Sequence, residues 1–205
     1  MCGRYYIEPD EDDLRFRAAL DELNRRALAG PVKTQGEVFP SDTVPVLALS
    51  RDRRPSAFAM RWGYTLDGKK LLINARSERA AQSPLFREGF LGHRCVVPAS
   101  NYFEWRRDGK KAVKYAIAPA ACGALYMAGI YRMEGQRPVF AILTRPASDS
   151  VAFIHDRMPV ILSGDLADQW MIPQTDPEAV VAAALQDMRC APAEPEDGQL
   201  RMPLD

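Results

Sequence analysis

Cys2 stands behind a single residue in the opening Met1-Cys2-Gly3-Arg4. Initiator methionine is removed efficiently ahead of a small side chain. Its removal here leaves a free α-amine and a thiol on one residue, a 1,2-aminothiol. The amine can condense with an aldehyde, and the thiol can then close a five-membered ring on the imine. The ordinary pKa values of the two groups, about 8 and about 8.5, leave each a reactive fraction at neutral pH. Position alone does not separate this from a small, inert core cysteine, so the other polar residues must decide.

Three further segments carry more chemistry than a β core requires. Glu104 lies between Phe103 and Trp105 in a stretch that reads as a strand. A carboxylic acid wedged among aromatics is partly desolvated and can hold and pass a proton. Plain alternation would instead turn Glu104 to water and the two rings inward. His155 opens the run His155-Asp156-Arg157 ahead of Pro159. Imidazole is the usual proton shuttle near neutrality, although a polar loop residue is the simpler reading. Asn74 follows the apolar Leu71-Leu72-Ile73. Its amide can orient an amine without titrating, or it can cap a helix over residues 75–81. Arg76 would lie in the first turn of that helix, where a phosphate is welcome. Together with Cys2, the set supplies a nucleophile, an amine holder, an acid/base and a proton shuttle.

The elements that must position these groups read as one α+β domain. Residues 11–29 form an amphipathic helix, with Phe16, Leu20, Leu23 and Ala27 at helical spacing and Gly30-Pro31 as its stop. Short strands follow at 44–49, 57–61, 71–73, 95–98, 102–105, 113–118, 125–131, 139–144 and 158–162. Asp108-Gly109 and Glu134-Gly135 mark hairpins. Such spacing predicts a β-barrel-like core of antiparallel strands flanked by helices. Ser163 caps a helix through Trp170, and Asp176-Pro177 opens another reaching Met188. The domain is placed at 1–190, with a loosely held, Pro- and acid-rich tail at 191–205.

Composition narrows the class. The 205 residues are 47% hydrophobic and 26% charged, with 27 basic and 27 acidic residues and no net charge. That balance argues against coating duplex DNA by bulk electrostatics, but not against a local groove lined by arginine, the commoner cation here. No apolar run reaches transmembrane length and no signal peptide opens the chain, so no membrane partner and a cytoplasmic, nucleoid-associated location are expected. The cysteines at 2, 95, 122 and 190 form no CxxC pair. A zinc site at His93-x-Cys95 is a weak alternative, and neither metal nor cofactor is expected.

The quoted segments, in order, resemble the SRAP family of abasic-site processing proteins, also described as SOS-response-associated peptidases. The carriers are Met1-Cys2-Gly3-Arg4, Trp62-Gly63, Asn74-Ala75-Arg76, Pro98-Ala99 with Phe103-Glu104-Trp105, and His155-Asp156-Arg157-Met158-Pro159. The resemblance implies a groove for single-stranded DNA and a covalent thiazolidine crosslink to an abasic sugar. Cys2 would be the nucleophile, with Asn74, Glu104 and His155 around it. Gly3, Arg4 and Arg76 would contact DNA, Pro40 would border it, and Trp62 and Leu85 would lie near the bases. Glu37, in Glu37-Val38-Phe39-Pro40, departs from the Asn-Val-Ala-Pro common in relatives and puts a negative charge near the expected phosphate path. A monomer working near replication-fork proteins is the expected setting. An N-terminal autoproteolytic peptidase and a non-covalent reader of damaged DNA remain as alternatives.

Overall fold

The computed structural model describes residues 2–8, 14–25, 30–109, 111–121 and 125–193. In chain order the elements are β1 (Arg4–Ile7), α1 (Leu14–Asn24), β2 (Gly36–Val38), β3 (Thr43–Leu49), β4 (Pro55–Trp62), β5 (Tyr64–Leu66), β6 (Lys70–Leu72), β7 (Asn74–Arg76), α2 (Ser77–Ala80), α3 (Arg87–Gly92), β8 (Arg94–Ala99), β9 (Asn101–Asp108), β10 (Lys111–Pro119), β11 (Leu125–Glu134), β12 (Arg137–Pro146), β13 (Arg157–Pro159), β14 (Ile161–Leu162), α4 (Gly164–Met171), α5 (Pro177–Ala182) and β15 (Met188–Pro192). None of the described helices is long and apolar enough to cross a membrane.

Five strands close on themselves in the order β12-β4-β3-β8-β11 and back to β12. All the pairings are antiparallel except β12 with β4, where Val139 and Phe140 run parallel to Arg61 and Trp62. Closure removes the exposed strand edges that an open sheet would leave. It also explains the continuous apolar runs of β8, β11 and β12, because both strand faces are covered. In β12, Phe140 and Ile142 point into one buried cluster, while Val139, Ala141 and Leu143 join a second. The second cluster packs under the helices, with Leu23 of α1, Phe90 of α3 and Trp170 of α4. Gly129 is required in β11, since a Cβ there would stand 2.8 Å from the Sγ of Cys95.

A second sheet, β15-β10-β9-β1-β2, lies against the barrel's inner cluster. Tyr5, Ile7, Val38, Tyr102 and Ile117 face that cluster, and Cys2 is part of it. Tyr5 meets Trp62 edge-on at 5.1 Å, and Trp62 stacks on Phe140 at 6.4 Å.

Several expectations hold locally. Gly109 and Gly135 turn both hairpins at positive φ. The Ser163 hydroxyl accepts from the N–H of Leu166, and the Asp176 carboxylate from that of Glu178, with Pro177 opening α5. Others are corrected. Asn74 caps no helix. Residues 74–76 pair in parallel with β12, whose N–H and C=O groups offered a long-range ladder, and the helix starts only at Ser77. The helix expected to reach Met188 stops at Ala182. Leu185 bridges to Ile161, and Met188–Pro192 pairs with β10 as a strand. The run 158–162 divides at Val160, whose N–H donates to Leu143 and whose carbonyl accepts from Ala128. The first helix is seen over Leu14–Asn24, and the rest of its expected span at 11–13 and 26–29, with Ala27, lies outside the described residues, as do residues 194–205.

Candidate functional site

Strand register decides which way Glu104 points. β9 pairs with β1 so that Tyr102 faces Tyr5 and Phe103 faces Arg4, and with β10 so that Glu104 faces Tyr115. Side chains alternate, so Tyr102 and Glu104 share the inner face with Tyr5, while Phe103 and Trp105 share the outer face with Arg4. Alternation therefore operates, but it turns Glu104 inward rather than to water, and the residue is only 6% exposed. One of its oxygens accepts from the N–H of Trp105 at 3.3 Å.

Cys2 is fully buried, and its thiol lies 3.5 Å from the carbonyl of Arg4. Burial, with a further contribution from the Glu104 carboxylate, pushes the thiol up to about 12. The thiol is therefore protonated at neutral pH, which replaces the partly ionised thiol expected from its ordinary value. Tyr5 and Tyr102, on the same inner face, are also held well above the ordinary phenol value, first by burial and then by the charges of Cys2 and other neighbours.

Asn74 reaches Cys2 from the barrel. Its Nδ2 donates to the Cys2 carbonyl at 2.8 Å. Its Oδ1 is buried and has no hydrogen-bond partner among the described residues. A buried acceptor without a donor costs about 1–3 kcal/mol, so this atom marks a place where a donor belongs. Asn74 also borders a cavity of about 460 Å³ with Arg76, Arg79, Gln82, Ser83 and Phe86.

His155 lies on a loop pinned from two sides. On one side Phe153 meets Tyr115, the cross-strand neighbour of Glu104, edge-on at 5.8 Å. On the other, Arg157 donates to the carbonyl of Thr144 at 2.8 Å and pairs through both terminal nitrogens with Glu78. Thr144 is in turn the β12 partner of Arg76. The Nδ1 of His155 accepts from the N–H of Arg157 at 3.0 Å and lies 2.7 Å from Asp156 Oδ1. The two contacts need opposite states of one nitrogen. Asp156 is largely exposed, so its attraction to the ring is screened.

The expected DNA residues fall in different places. Arg76 is exposed at the cavity mouth, and Gly3 is half-buried beside Cys2. Arg4 lies on the outer sheet face, its guanidinium 3.9 Å over the Phe39 ring. Pro40 is half-buried in the turn before Ser41, and Leu85 packs partly into the outer cluster. Trp62 has no exposed surface. Its indole donates to the carbonyl of Ile73 at 3.0 Å, so it props the strand leading to Asn74 and offers no face to a base. Gly63, at φ +112, lies against Leu71 where no Cβ fits, which accounts for glycine in the Trp62-Gly63 pair.

Sequence reasoning missed two groups. The cavity residues 79, 82, 83 and 86 recur at helical i, i+3, i+4, i+7 spacing, which the chain displayed. Lys114 follows from counting back from the 108–109 hairpin, which sets it opposite Trp105. The residues of the zinc alternative serve otherwise. Cys95 is buried in the barrel, His93 packs on Tyr131 at 5.4 Å, and no metal-holding group of His, Cys, Asp and Glu occurs among the described residues.

Barrel, facing sheet and the Cys2–Asn74–Glu104 cluster define a small α+β protein whose Cys2 lies ahead of its first strand. The chain belongs to the SRAP family, described as SOS response associated peptidase, whose family model matches residues 1–196. It is 32% identical over 178 residues to the abasic site processing protein YedK of Escherichia coli, covering 83% of this chain and 79% of that protein. It is 29% identical over 197 residues to YoqW of Bacillus subtilis, which carries the same description, covering 87% and 84%. A crystal structure of a Bacteroides thetaiotaomicron protein shares the fold, with a TM-score of 0.75 and 22% identity over 95% of this chain and 93% of that one.

Proposed function

We propose that this chain processes abasic sites in single-stranded DNA by bonding to them through Cys2. One observation carries the reading. Asn74 holds the Cys2 backbone by its amide nitrogen while its buried oxygen waits for a donor beside an arginine-edged cavity. An α-amine is such a donor, and a ring-opened abasic sugar supplies the aldehyde it attacks. The names of the relatives above support the same substrate.

The chemistry balances without an outside oxidant or reductant. The amine nitrogen of Cys2 bonds to C1′ of the aldehyde, one of its protons passes to the oxygen, and loss of water leaves the iminium with one proton still on nitrogen. Glu104 gives the second proton that the departing oxygen needs and is left as the carboxylate. The thiol then adds at the iminium carbon: a C–S bond forms, the C=N pair moves to nitrogen, and the sulfur's proton restores the Glu104 acid. Because burial keeps that thiol protonated, addition needs a proton acceptor at the sulfur, and Glu104 is the charge coupled to it. The resulting thiazolidine has no C=N to acidify the C2′ hydrogen, so β-elimination and strand cleavage are suppressed. His155, able to exchange a proton at its ring, serves opening of the sugar. Lesions in single strands suit a buried nucleophile, since little stacking is lost on extrusion.

The test is an oligonucleotide with one abasic site, incubated with protein and run on a denaturing gel. A heat-stable band is expected for wild type and none for Cys2→Ser; an equal band from Cys2→Ser refutes the mechanism. The family's description as a peptidase supports a second activity, self-release of Met1 assisted by Glu104 and His155. Complete loss of Met1 in Glu104→Ala protein, read by intact mass, would overturn it.

A further inference from the structure

The departure at Glu37 has a structural counterpart. Glu37 does not stand alone on the outer sheet face but bridges two cations. Its Oε1 accepts from Arg4 at 3.1 Å and from Lys114 at 3.0 Å, and its Oε2 accepts from Lys114 at 3.1 Å. Both cations are also seated on aromatic rings. Arg4 lies 3.9 Å over Phe39, and Lys114 lies 3.8 Å over Phe103, with Trp105 between them at 5.9 and 5.8 Å. The rings hold the cations where they are whether or not Glu37 is present.

We propose that Glu37 occupies the seat of a strand phosphate between Arg4 and Lys114, and that single-stranded DNA docks on this face by displacing it. The inference rests on the DNA-binding reading above. A phosphodiester presents two non-bridging oxygens where the carboxylate presents its two, so the exchange is one for one in geometry and charge. Gly3 alone separates Arg4 from Cys2, so a strand bonded at Cys2 passes within reach of this seat. The consequence is selectivity. An undamaged strand must expel Glu37 for a weak contact, whereas a strand held by the covalent bond at Cys2 does so at high local concentration.

The experiment measures binding of a fluorescent single strand carrying a tetrahydrofuran, which has no aldehyde and cannot crosslink, across NaCl from about 50 to 200 mM. Glu37→Gln should bind tighter than wild type and lose affinity more steeply with salt. One or two cations freed for phosphate add about 0.7 to 1.4 to the slope, an extra loss of about 3- to 7-fold over that range. Lys114→Gln added to the Glu37→Gln protein should flatten its slope by about 0.7, and a melting curve for each variant confirms that it is folded. Folded Glu37→Gln with wild-type affinity and slope overturns the proposal, as does a slope that Lys114→Gln leaves unchanged in the Glu37→Gln protein. Failure of both wild type and Glu37→Gln to bind any strand removes the DNA-binding reading itself, and this inference with it.

Discussion

Replacing Glu104 by Gln should move two properties of Cys2 in opposite directions. Burial and the Glu104 charge raise the Cys2 thiol from 9.0 to about 12, burial being the larger cause. Three units correspond to ~4 kcal/mol against ionisation. At pH 8 the thiolate is then about one part in ten thousand, against about one in ten for a thiol at 9.0. Glu104→Gln removes the second cause and leaves the first. The thiol value falls but stays above 9, so alkylation of Cys2 by iodoacetamide speeds up while remaining well below the rate in unfolded protein. Crosslinking should move the other way, slowing by about 10²- to 10⁴-fold, because the group that exchanges protons with the departing water and the thiol is gone. Alkylation is read by peptide-resolved mass spectrometry, which separates Cys2 from the half-exposed Cys190. Crosslinking is read as a single-turnover time course on a denaturing gel. Unchanged or faster crosslinking in Glu104→Gln refutes the proton-transfer role. Wild-type Cys2 alkylated as fast as in urea refutes the burial argument beneath it.

Other outcomes follow from the same geometry. Asn74→Ala strips the Cys2 carbonyl of its donor and should cost about 1–3 kcal/mol in urea unfolding as well as slowing crosslinking; loss of neither would show that the bond positions nothing. Alkali should destabilise the fold. Cys2, Cys95, Tyr5 and Tyr102 all hold their protons above ordinary values by burial, so the unfolded chain releases them first. Cys2's share of stability is whole below 9 and is lost as pH rises towards about 12; a flat urea midpoint over that window would contradict it. Acid should act through Glu78, which hydrogen bonding from Arg157 lowers from 4.5 to about 2. Its contribution is present above 4.5 and lost as pH falls towards 2, and Arg157→Gln should abolish that part of the melting-temperature profile. Gly129→Ala forces a Cβ against Cys95 Sγ and should cost about 1–3 kcal/mol by overpacking, seen as an earlier urea midpoint.

Much of the fold was legible because it rests on local rules. The hairpins at Gly109 and Gly135 need positive φ, and Ser163 and Asp176-Pro177 carry cap chemistry, so each is written within a few residues. The misreadings share a cause. Residues 74–76 look like the start of a helix until β12 offers a partner some seventy positions away. Met188 looks like a helix end until the edge of β10 takes it. Trp62 looks like a wedge for bases, although the Tyr5 and Phe140 rings enclose it. In each case a long-range pairing or packing contact outweighed a local preference worth less than the hydrogen bonds and burial gained.

The residue types and their order were enough to single out the candidate groups: an aminothiol, an amide, a carboxylic acid and an imidazole. They could not say on which side of its strand Glu104 lies, that the Cys2 thiol is sealed and protonated, or that Glu37 bridges Arg4 and Lys114. Those facts depend on strand register and on exclusion of water. Both are set only when the barrel closes and the second sheet lies across it, because a side chain's face and its hydration belong to the packed chain and not to its own neighbours in the sequence.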